Sequence, residues 1–248
     1  MPLLDHISEL RRRVVQIVVA VVIAMCVLYM VTPYIIDFLI QPIAEFLPNG
    51  LNGLILTGPF DGFSLKFRVA AFAGVVVCSP LILWELLAFF LPALKPKERH
   101  YVLPTFFIAV ILFVLGMVFC YCFCLSPAFQ FLTGESASVG TVFPAAADYV
   151  KFVILFLIAF GIAFELPVVV FYLIIFDIVP YKKMRASWRY IYIALLVLSA
   201  VVTPDASPVT MGILFAALLA LYELSLLVAR IVLARKIKRQ REAEEEED

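Results

Sequence analysis

Residues 11–36 read RRRVVQIVVAVVIAMCVLYMVTPYII, three arginines followed by an uncharged run from Val14 to Ile36. A helix needs about 20 consecutive apolar residues to cross the hydrocarbon core of a bilayer. The run is too long for the apolar part of a secretory signal peptide, and no small-residue cleavage site follows it. We therefore interpret it as a retained first transmembrane helix.

The composition of the whole chain extends this interpretation. Of its 248 residues, 65% are hydrophobic and 15% are charged, whereas soluble domains are about 45–50% apolar and about 25% charged. A soluble fold of this size cannot hide that much apolar surface. The apolar runs are continuous, and the strands of an outer-membrane barrel instead alternate apolar and polar residues over roughly ten positions. The sequence therefore predicts an all-α integral membrane protein.

Six apolar segments are interpreted as spans. Pro80 is expected to kink the second span, and residues 126–146 are expected to form a long polar loop. The fifth span reaches only about 22 Å at about 1.5 Å per residue, so helices five and six are expected to be short. The spans are Val14–Leu39, Phe63–Phe90, Tyr101–Leu125, Ala147–Phe176, Trp188–Val202 and Val209–Val228.

Basic residues are concentrated in alternate connections of this six-span arrangement. The N-terminus, the second–third loop, the fourth–fifth loop and the C-terminal tail hold 16 of the 19 Lys and Arg residues; only Lys66, Arg68 and Lys151 fall on the other side. Short loops rich in Lys and Arg remain on the inner side, which predicts that both termini are cytoplasmic. We predict a single transmembrane domain over residues 1–230 and a charged, disordered cytoplasmic tail over residues 231–248.

Cysteines and enzyme motifs give little sign of chemistry. In the run from Cys120 to Cys124, a helix directs Cys122 away from the other two thiols, and no His is nearby. We interpret these residues as small hydrophobic side chains and predict neither a metal site nor a cofactor. Signatures of metalloproteases, serine hydrolases and nucleotide-binding loops are missing from the sequence, so a role other than catalysis is expected.

Glu165, Glu85 and Glu223 are acidic residues inside predicted spans. Glu165 is near the middle of helix four, where an ionisable group is costly. Either it lines a polar cavity used by a substrate or partner, or it is a protonated carboxyl bonded to a neighbouring helix. A proton-coupled secondary transporter that uses Glu165 is accordingly the alternative function. Glu85 and Glu223 lie nearer the inner ends of their helices, and both are expected to extend towards the interface.

Glu9 and Glu98 stand among the bases of the inner face. One interpretation is local ion pairing, of Glu9 with Arg12 or Arg13 and of Glu98 with Lys95, and such pairs contribute little when exposed. The other is that the two carboxylates accept guanidinium groups from another chain, because Arg–carboxylate contacts are bidentate and directional. An inactive membrane scaffold would tolerate neutralisation of both acids.

Four segments in order make the chain resemble the TatC family, the multispanning subunit of the twin-arginine protein translocase. The resemblance covers about residues 4–230. The segments are residues 6–13 (HISELRRR), residues 79–94 (SPLILWELLAFFLPAL) followed by Glu98-Arg99, residues 160–167 (FGIAFELP) and residues 203–205 (TPD).

The resemblance implies a glove-like, concave bundle that receives the Arg-Arg signal peptides of folded cargo proteins at the cytoplasmic face. It assigns peptide binding to Glu9 and Glu98, with Phe89, Leu94 and Arg12 beside them. Transport would be driven by the proton-motive force. The location implied is the plasma (inner) membrane of a prokaryote, with no nucleic acid involved.

The resemblance also assigns Glu165 to the concave surface, as an intramembrane polar site. Single-span partner subunits of the TatA and TatB type would dock near Pro204 and Asp205, in an oligomeric complex. Val209 stands where relatives commonly carry Gln, and Thr210 is expected to supply the polar contact instead. A second departure is Glu85, which replaces a neutral amide.

Overall fold

The computed structural model is predominantly helical in the part of the chain that it describes. Its β pairing there is confined to one isolated bridge between Ile55 and Ala145. The prediction of an all-α protein is therefore confirmed. The described residues are 2–46, 55–56, 58–90, 99–137, 145–176, 178–203, 207–232 and 234.

The chain forms two compact units, Met1–Pro92 with Val118–Ile158, and Ala93–Met117 with Ala159–Asp248. The first unit contains α1 (Pro2–Leu28), α2 (Thr32–Ile40), α3 (Asp61–Val77), α4 (Ser79–Phe90), α6 (Leu125–Ala137) and most of α7 (Ala146–Ala163). The second contains most of α5 (Val102–Phe119), together with α8 (Leu166–Ile175), α9 (Tyr181–Ala186), α10 (Trp188–Val202) and α11 (Pro208–Val232). Short helical turns at Tyr29–Val31, Gln41–Phe46, Arg99–Tyr101 and Cys120–Cys124 complete the described elements.

Several helices are long and apolar enough to cross a membrane. Among the described residues, four helices meet this requirement on their own, and α3 with α4 make a fifth if that pair, bent by 53°, counts as one span. The bend lies where Pro80 was expected to kink the helix, because proline has no N–H to donate to the preceding turn. The helix α10 is apolar but shorter, and its bounds are those predicted. The four helices that are long and apolar enough on their own are Ser8–Ala44, Arg99–Glu135, Ala146–Ile175 and Pro208–Val232.

The structure differs from the predictions made from the sequence in two places. Helix continues from α5 through the wide turn Cys120–Cys124 into α6, so the prediction of a loop from Ser126 onward is wrong as far as Ala137. Single wide (π-helical) turns occur inside α-helices, and Pro127, which lacks an N–H for the regular hydrogen-bond ladder, lies three residues after this one. The fourth span is also divided, between α7 and α8, with Pro167 in the first turn of α8.

Tyrosine hydroxyls anchor the C-terminal end of α2 in the first unit. Pro42 cannot continue this helix, because it has no N–H for the carbonyl four residues earlier. That carbonyl, of Phe38, accepts hydrogen bonds from the Gln41 backbone N–H and from the Tyr121 hydroxyl, the latter at 2.7 Å. The Tyr149 hydroxyl donates to the next carbonyl, of Leu39, at 3.2 Å. The end of the first span is thereby tied to the wide turn and to α7.

Glycines permit two close helix approaches. A Cβ atom on Gly74 of α3 would lie 3.1 Å from the carbonyl oxygen of Val21 on α1. In the second unit, a Cβ atom on Gly116 of α5 would lie 2.6 Å from the carbonyl oxygen of Phe160 and 2.8 Å from the Cβ of Phe164. Small residues at such contacts let the helix backbones approach closely, which is the usual basis of helix packing in membranes.

We predict that Gly116→Ala destabilises the folded protein, because the added methyl group meets backbone that cannot move without shifting a helix. Overpacking of this kind costs typically about 1–3 kcal/mol. Thermal unfolding in detergent should show a lower midpoint for this variant. Gly212→Ala is the matched control, since nothing lies within 4 Å of its Cβ position, and equal midpoints for the two variants would contradict the prediction.

Candidate functional site

The N-terminal part of α1 carries an ion pair between Glu9 and Arg13. These residues are four apart and therefore share one face of the helix. The Arg13 Nη2 atom lies 2.6 Å from Glu9 Oε1, and Arg13 Nε donates to the same oxygen at 3.2 Å. The Glu9 side chain is 37% exposed. Of the two local pairs considered from the sequence, the structure forms the one with Arg13, while Arg12 is exposed.

The same guanidinium also reaches a second helix. Arg13 Nη1 donates to Glu85 Oε2 of α4 at 2.5 Å. The Glu85 side chain is only 14% exposed and that of Arg13 21%. Glu85, which was expected from the sequence to extend towards the interface, is thus paired with an arginine of another helix. Sequence reasoning missed this pair because its members are 72 residues apart, and nothing in the local pattern connects them.

Glu9, Arg13 and Glu85, hereafter the Arg13 cluster, combine two carboxylates with one guanidinium. When all three are ionised the cluster carries a net charge of minus one. Among the residues that the structure describes, Glu9 Oε2 has no hydrogen-bond partner, because both bonds from Arg13 go to Oε1. Phe89, predicted to contribute to the same site, lies one turn beyond Glu85 on α4 and is half-buried.

Four of the predicted site residues, Glu98, Leu94, Pro204 and Asp205, lie outside the described residues. Thr210, near the start of α11, is fully buried and donates its hydroxyl to the backbone oxygen of Ser207 at 3.2 Å. Val209 is exposed beside it. The Thr210 hydroxyl is thus used within the chain, at the beginning of its own helix.

Glu165 lies at the junction of α7 and α8. Its backbone oxygen accepts hydrogen bonds from the N–H groups of Val168 and Val169 at 2.9 and 3.1 Å, and so begins α8. Its side-chain Oε1 is buried with no hydrogen-bond partner in the described part of the chain. One of the two interpretations from the sequence was a hydrogen bond from this carboxyl to a neighbouring helix. Within the described residues, Oε1 makes no such bond.

A second ionic cluster joins the helices of the second unit. Glu223 of α11 accepts a hydrogen bond of 2.6 Å from Arg185 of α9 and one of 2.7 Å from the Tyr192 hydroxyl of α10. The bond to Glu223 raises the pKa of Arg185, which therefore stays charged. Glu223 was expected from the sequence to extend towards the interface, and the structure gives it two partners on two other helices.

The cysteine pattern agrees with the sequence interpretation. Cys120 and Cys124 are buried, and Cys122 is exposed on the other side of the wide turn. Among the described residues there is no group of three or more His, Cys, Asp or Glu side chains that would hold a metal ion.

Comparison with known proteins identifies the family. A family model described as "Sec-independent protein translocase protein (TatC)" matches residues 5–216. The chain belongs to the TatC family. TatC of Deinococcus radiodurans is 34% identical over 232 residues, which cover 93% of this chain and 86% of that protein. TatC of Carboxydothermus hydrogenoformans is 30% identical over 241 residues, covering 97% and 98%.

Solved TatC structures share the fold. A crystal structure of the twin arginine translocase receptor TatC in DDM superposes with a TM-score of 0.75 at 27% identity, covering 90% of this chain and 99% of that one. A second crystal structure of the receptor gives 0.73 and covers 91% and 98%. As a TatC-family member with several apolar helices, the chain is a multi-pass membrane component of a protein translocase.

We predict that Glu165→Gln does not lower stability. A buried oxygen without a partner destabilises the fold, and the amide keeps the shape of the side chain while removing the option of a buried charge. Thermal unfolding in detergent at pH 8 should give a midpoint equal to or above that of the unchanged protein. A fall of several degrees would instead reveal a partner that depends on the carboxyl group.

Proposed function

We propose that this TatC-family chain is the receptor subunit of a twin-arginine translocase. It binds the Arg-Arg signal peptides of folded proteins at the cytoplasmic face. The observation that carries the proposal is the Arg13 cluster, which keeps an excess negative charge and a partly exposed Glu9 carboxylate at the N-terminal end of the first span. The solved relatives support it, because they are described as twin arginine translocase receptors.

Guanidinium chemistry accounts for the selectivity of this receptor. A carboxylate oxygen without a partner accepts an N–H from an incoming arginine, and a planar guanidinium makes such bonds in a fixed geometry that an ammonium does not reproduce. Glu9 holds one arginine of the pair in this proposal, and Glu98 the other. Phe89 and Leu94 supply apolar contacts to the peptide, and Arg12 completes the site.

Membrane topology belongs to the same proposal. The chain crosses the plasma membrane of a prokaryote six times as one transmembrane domain over residues 1–230, with a cytoplasmic tail over residues 231–248. The charge pattern of the loops supports cytoplasmic termini. The bundle is concave, with Glu165 on its concave surface, and the proton-motive force drives export without a nucleotide or other cofactor.

Partner recruitment takes place where α10 and α11 meet. Single-span TatA- and TatB-type subunits dock near Pro204 and Asp205 and form an oligomeric complex with this chain. Thr210 acts there by fixing the first turn of α11 through Ser207, and Val209 offers the exposed side chain. The alternative of a proton-coupled transporter loses support, because the family match is to protein translocases.

The receptor role predicts selective peptide binding by the purified protein in nanodiscs. A labelled Arg-Arg signal peptide should bind, and Glu9→Gln and Glu98→Gln should each weaken binding by about tenfold or more, since hydrogen bonds to charged groups contribute about 1.5–3 kcal/mol. A Lys-Lys peptide should bind equally weakly. Fluorescence anisotropy measures all of these affinities.

Asp148→Asn is the matched control in this assay. Asp148 is an exposed acid on α7, expected on the opposite side of the membrane, so its neutralisation should leave the affinity unchanged. If the Arg-Arg and Lys-Lys peptides bind alike, or if Glu9→Gln and Glu98→Gln behave like Asp148→Asn, the receptor assignment is wrong.

The topology predicts the behaviour of reporter fusions. Alkaline phosphatase becomes active only after export, so a fusion after Asp248 should be inactive, and a fusion after Gly140 should be active. A green fluorescent protein fusion at the same two points should give the opposite pattern. Phosphatase activity at the C-terminus would place that end outside and would exclude the six-span arrangement.

A further inference from the structure

The Arg13 guanidinium makes two hydrogen bonds to Glu9 on its own helix and one to Glu85 on α4. Its Nε and Nη2 atoms form the edge that usually grips both oxygens of a carboxylate, yet both donate to the single oxygen Oε1 of Glu9. Its remaining Nη1 donates to Glu85 at 2.5 Å. Glu85 is the less exposed of the two acids, 14% against 37%. The inner partner of Arg13 is therefore Glu85, and Glu9 is the outer one.

Charge balance follows from this division. Without Glu85, Arg13 and Glu9 would form a neutral pair, and an incoming guanidinium would have to compete with Arg13 for the carboxylate. With Glu85, the single positive charge is shared between two negative ones. Charges this close interact most strongly where burial lowers the effective dielectric constant, so Glu85 lowers the net positive potential that Arg13 exerts at Glu9.

Geometry adds a second effect. Glu85 belongs to α4, which follows the 53° bend after α3, and its bond to Arg13 ties α4 to α1. The position of the Arg13 guanidinium determines which oxygen of Glu9 is occupied and which is left open. Glu85 thus acts on Glu9 without touching it, through the shared arginine.

We propose that Glu85 is a positioning residue of the signal-peptide site, which holds Arg13 so that Glu9 keeps the negative charge and the open oxygen needed by an arginine of the peptide. This inference rests on the proposed receptor function. It assigns the specificity of the first span to three side chains from two helices, of which Glu9 alone meets the peptide.

Four variants separate the roles, measured with the labelled Arg-Arg peptide and the full chain in nanodiscs at low and high salt. Glu85→Gln should weaken binding about tenfold and reduce its salt dependence, because the cluster becomes neutral. Adding Arg13→Gln to Glu85→Gln restores the net charge of minus one, so the double variant should return to within about threefold of the unchanged protein. The Glu9→Gln variant should not bind the peptide, either alone or combined with the substitutions of Arg13 and Glu85.

The charge-swapped variant Arg13→Glu with Glu85→Arg guards against a simple folding defect. It keeps an ion pair between α1 and α4 and the net charge of minus one, and it should also bind within about threefold. Thermal midpoints are recorded for every variant, because a purely structural Glu85 would change the midpoint without the compensation by Arg13→Gln.

The outcomes distinguish the two levels of the proposal. If the unchanged protein binds and Glu9→Gln does not, but Glu85→Gln binds normally, this inference is overturned and the receptor function stands. A double variant as weak as Glu85→Gln also overturns it, since Glu85 then contacts the peptide itself or acts only through stability. If the unchanged protein does not bind, or Glu9→Gln binds normally, both the receptor function and the inference fail.

Discussion

The constraint on which the structure depends is that a helix inside a bilayer finds no water for its backbone, so every interrupted turn must be satisfied by the protein. Pro42 interrupts the regular hydrogen bonding of the first span, and hydroxyls donate to carbonyls there: Tyr121 to Phe38, and Ser126 to Pro42 itself at 3.0 Å. At the junction of α7 and α8, the backbone oxygen of Glu165 accepts two N–H groups of the new helix. Interruptions are thus tolerated only where a donor or acceptor has been placed beside them.

Charged side chains inside the bilayer also need partners within the protein. Removing one partner from a buried ion pair is strongly destabilising, and Glu85 and Glu223 both have partners on other helices. Arg13 joins α1 to α4, and Glu223 joins α9, α10 and α11. These two clusters also connect segments that are distant in sequence, so they fix helix ends that apolar packing alone would leave free to slide.

The sequence predicts those features that depend on one segment at a time. Hydropathy placed the apolar segments, gave the bounds of α10, and located the bend near Pro80, because length and proline chemistry are local properties. It missed the continuation of helix through α6, since polar composition after Ser126 resembled a loop and the wide turn that accommodates Pro127 leaves no clear pattern. It also missed the pairing of Arg13 with Glu85, because a contact between α1 and α4 depends on how the helices pack. Glu9 was predicted from the sequence as a binding residue, but only the structure shows which of its carboxylate oxygens is bonded to Arg13.

The Arg13 cluster combines two contacts that differ in exposure. An exposed pair four residues apart on a helix contributes only about 0.3–0.5 kcal/mol, so the contact between Glu9 and Arg13 does little for stability. The contact between Arg13 and Glu85 is less exposed and spans two helices, so the stabilising part of the cluster lies there. One acid paired with one base would present no net charge to a ligand. Two acids around one base leave one negative charge, and the proposal places that charge on Glu9, the more exposed of the two acids. In the proposed receptor, Glu9 is the binding group, and the pair of Arg13 with Glu85 holds it in position.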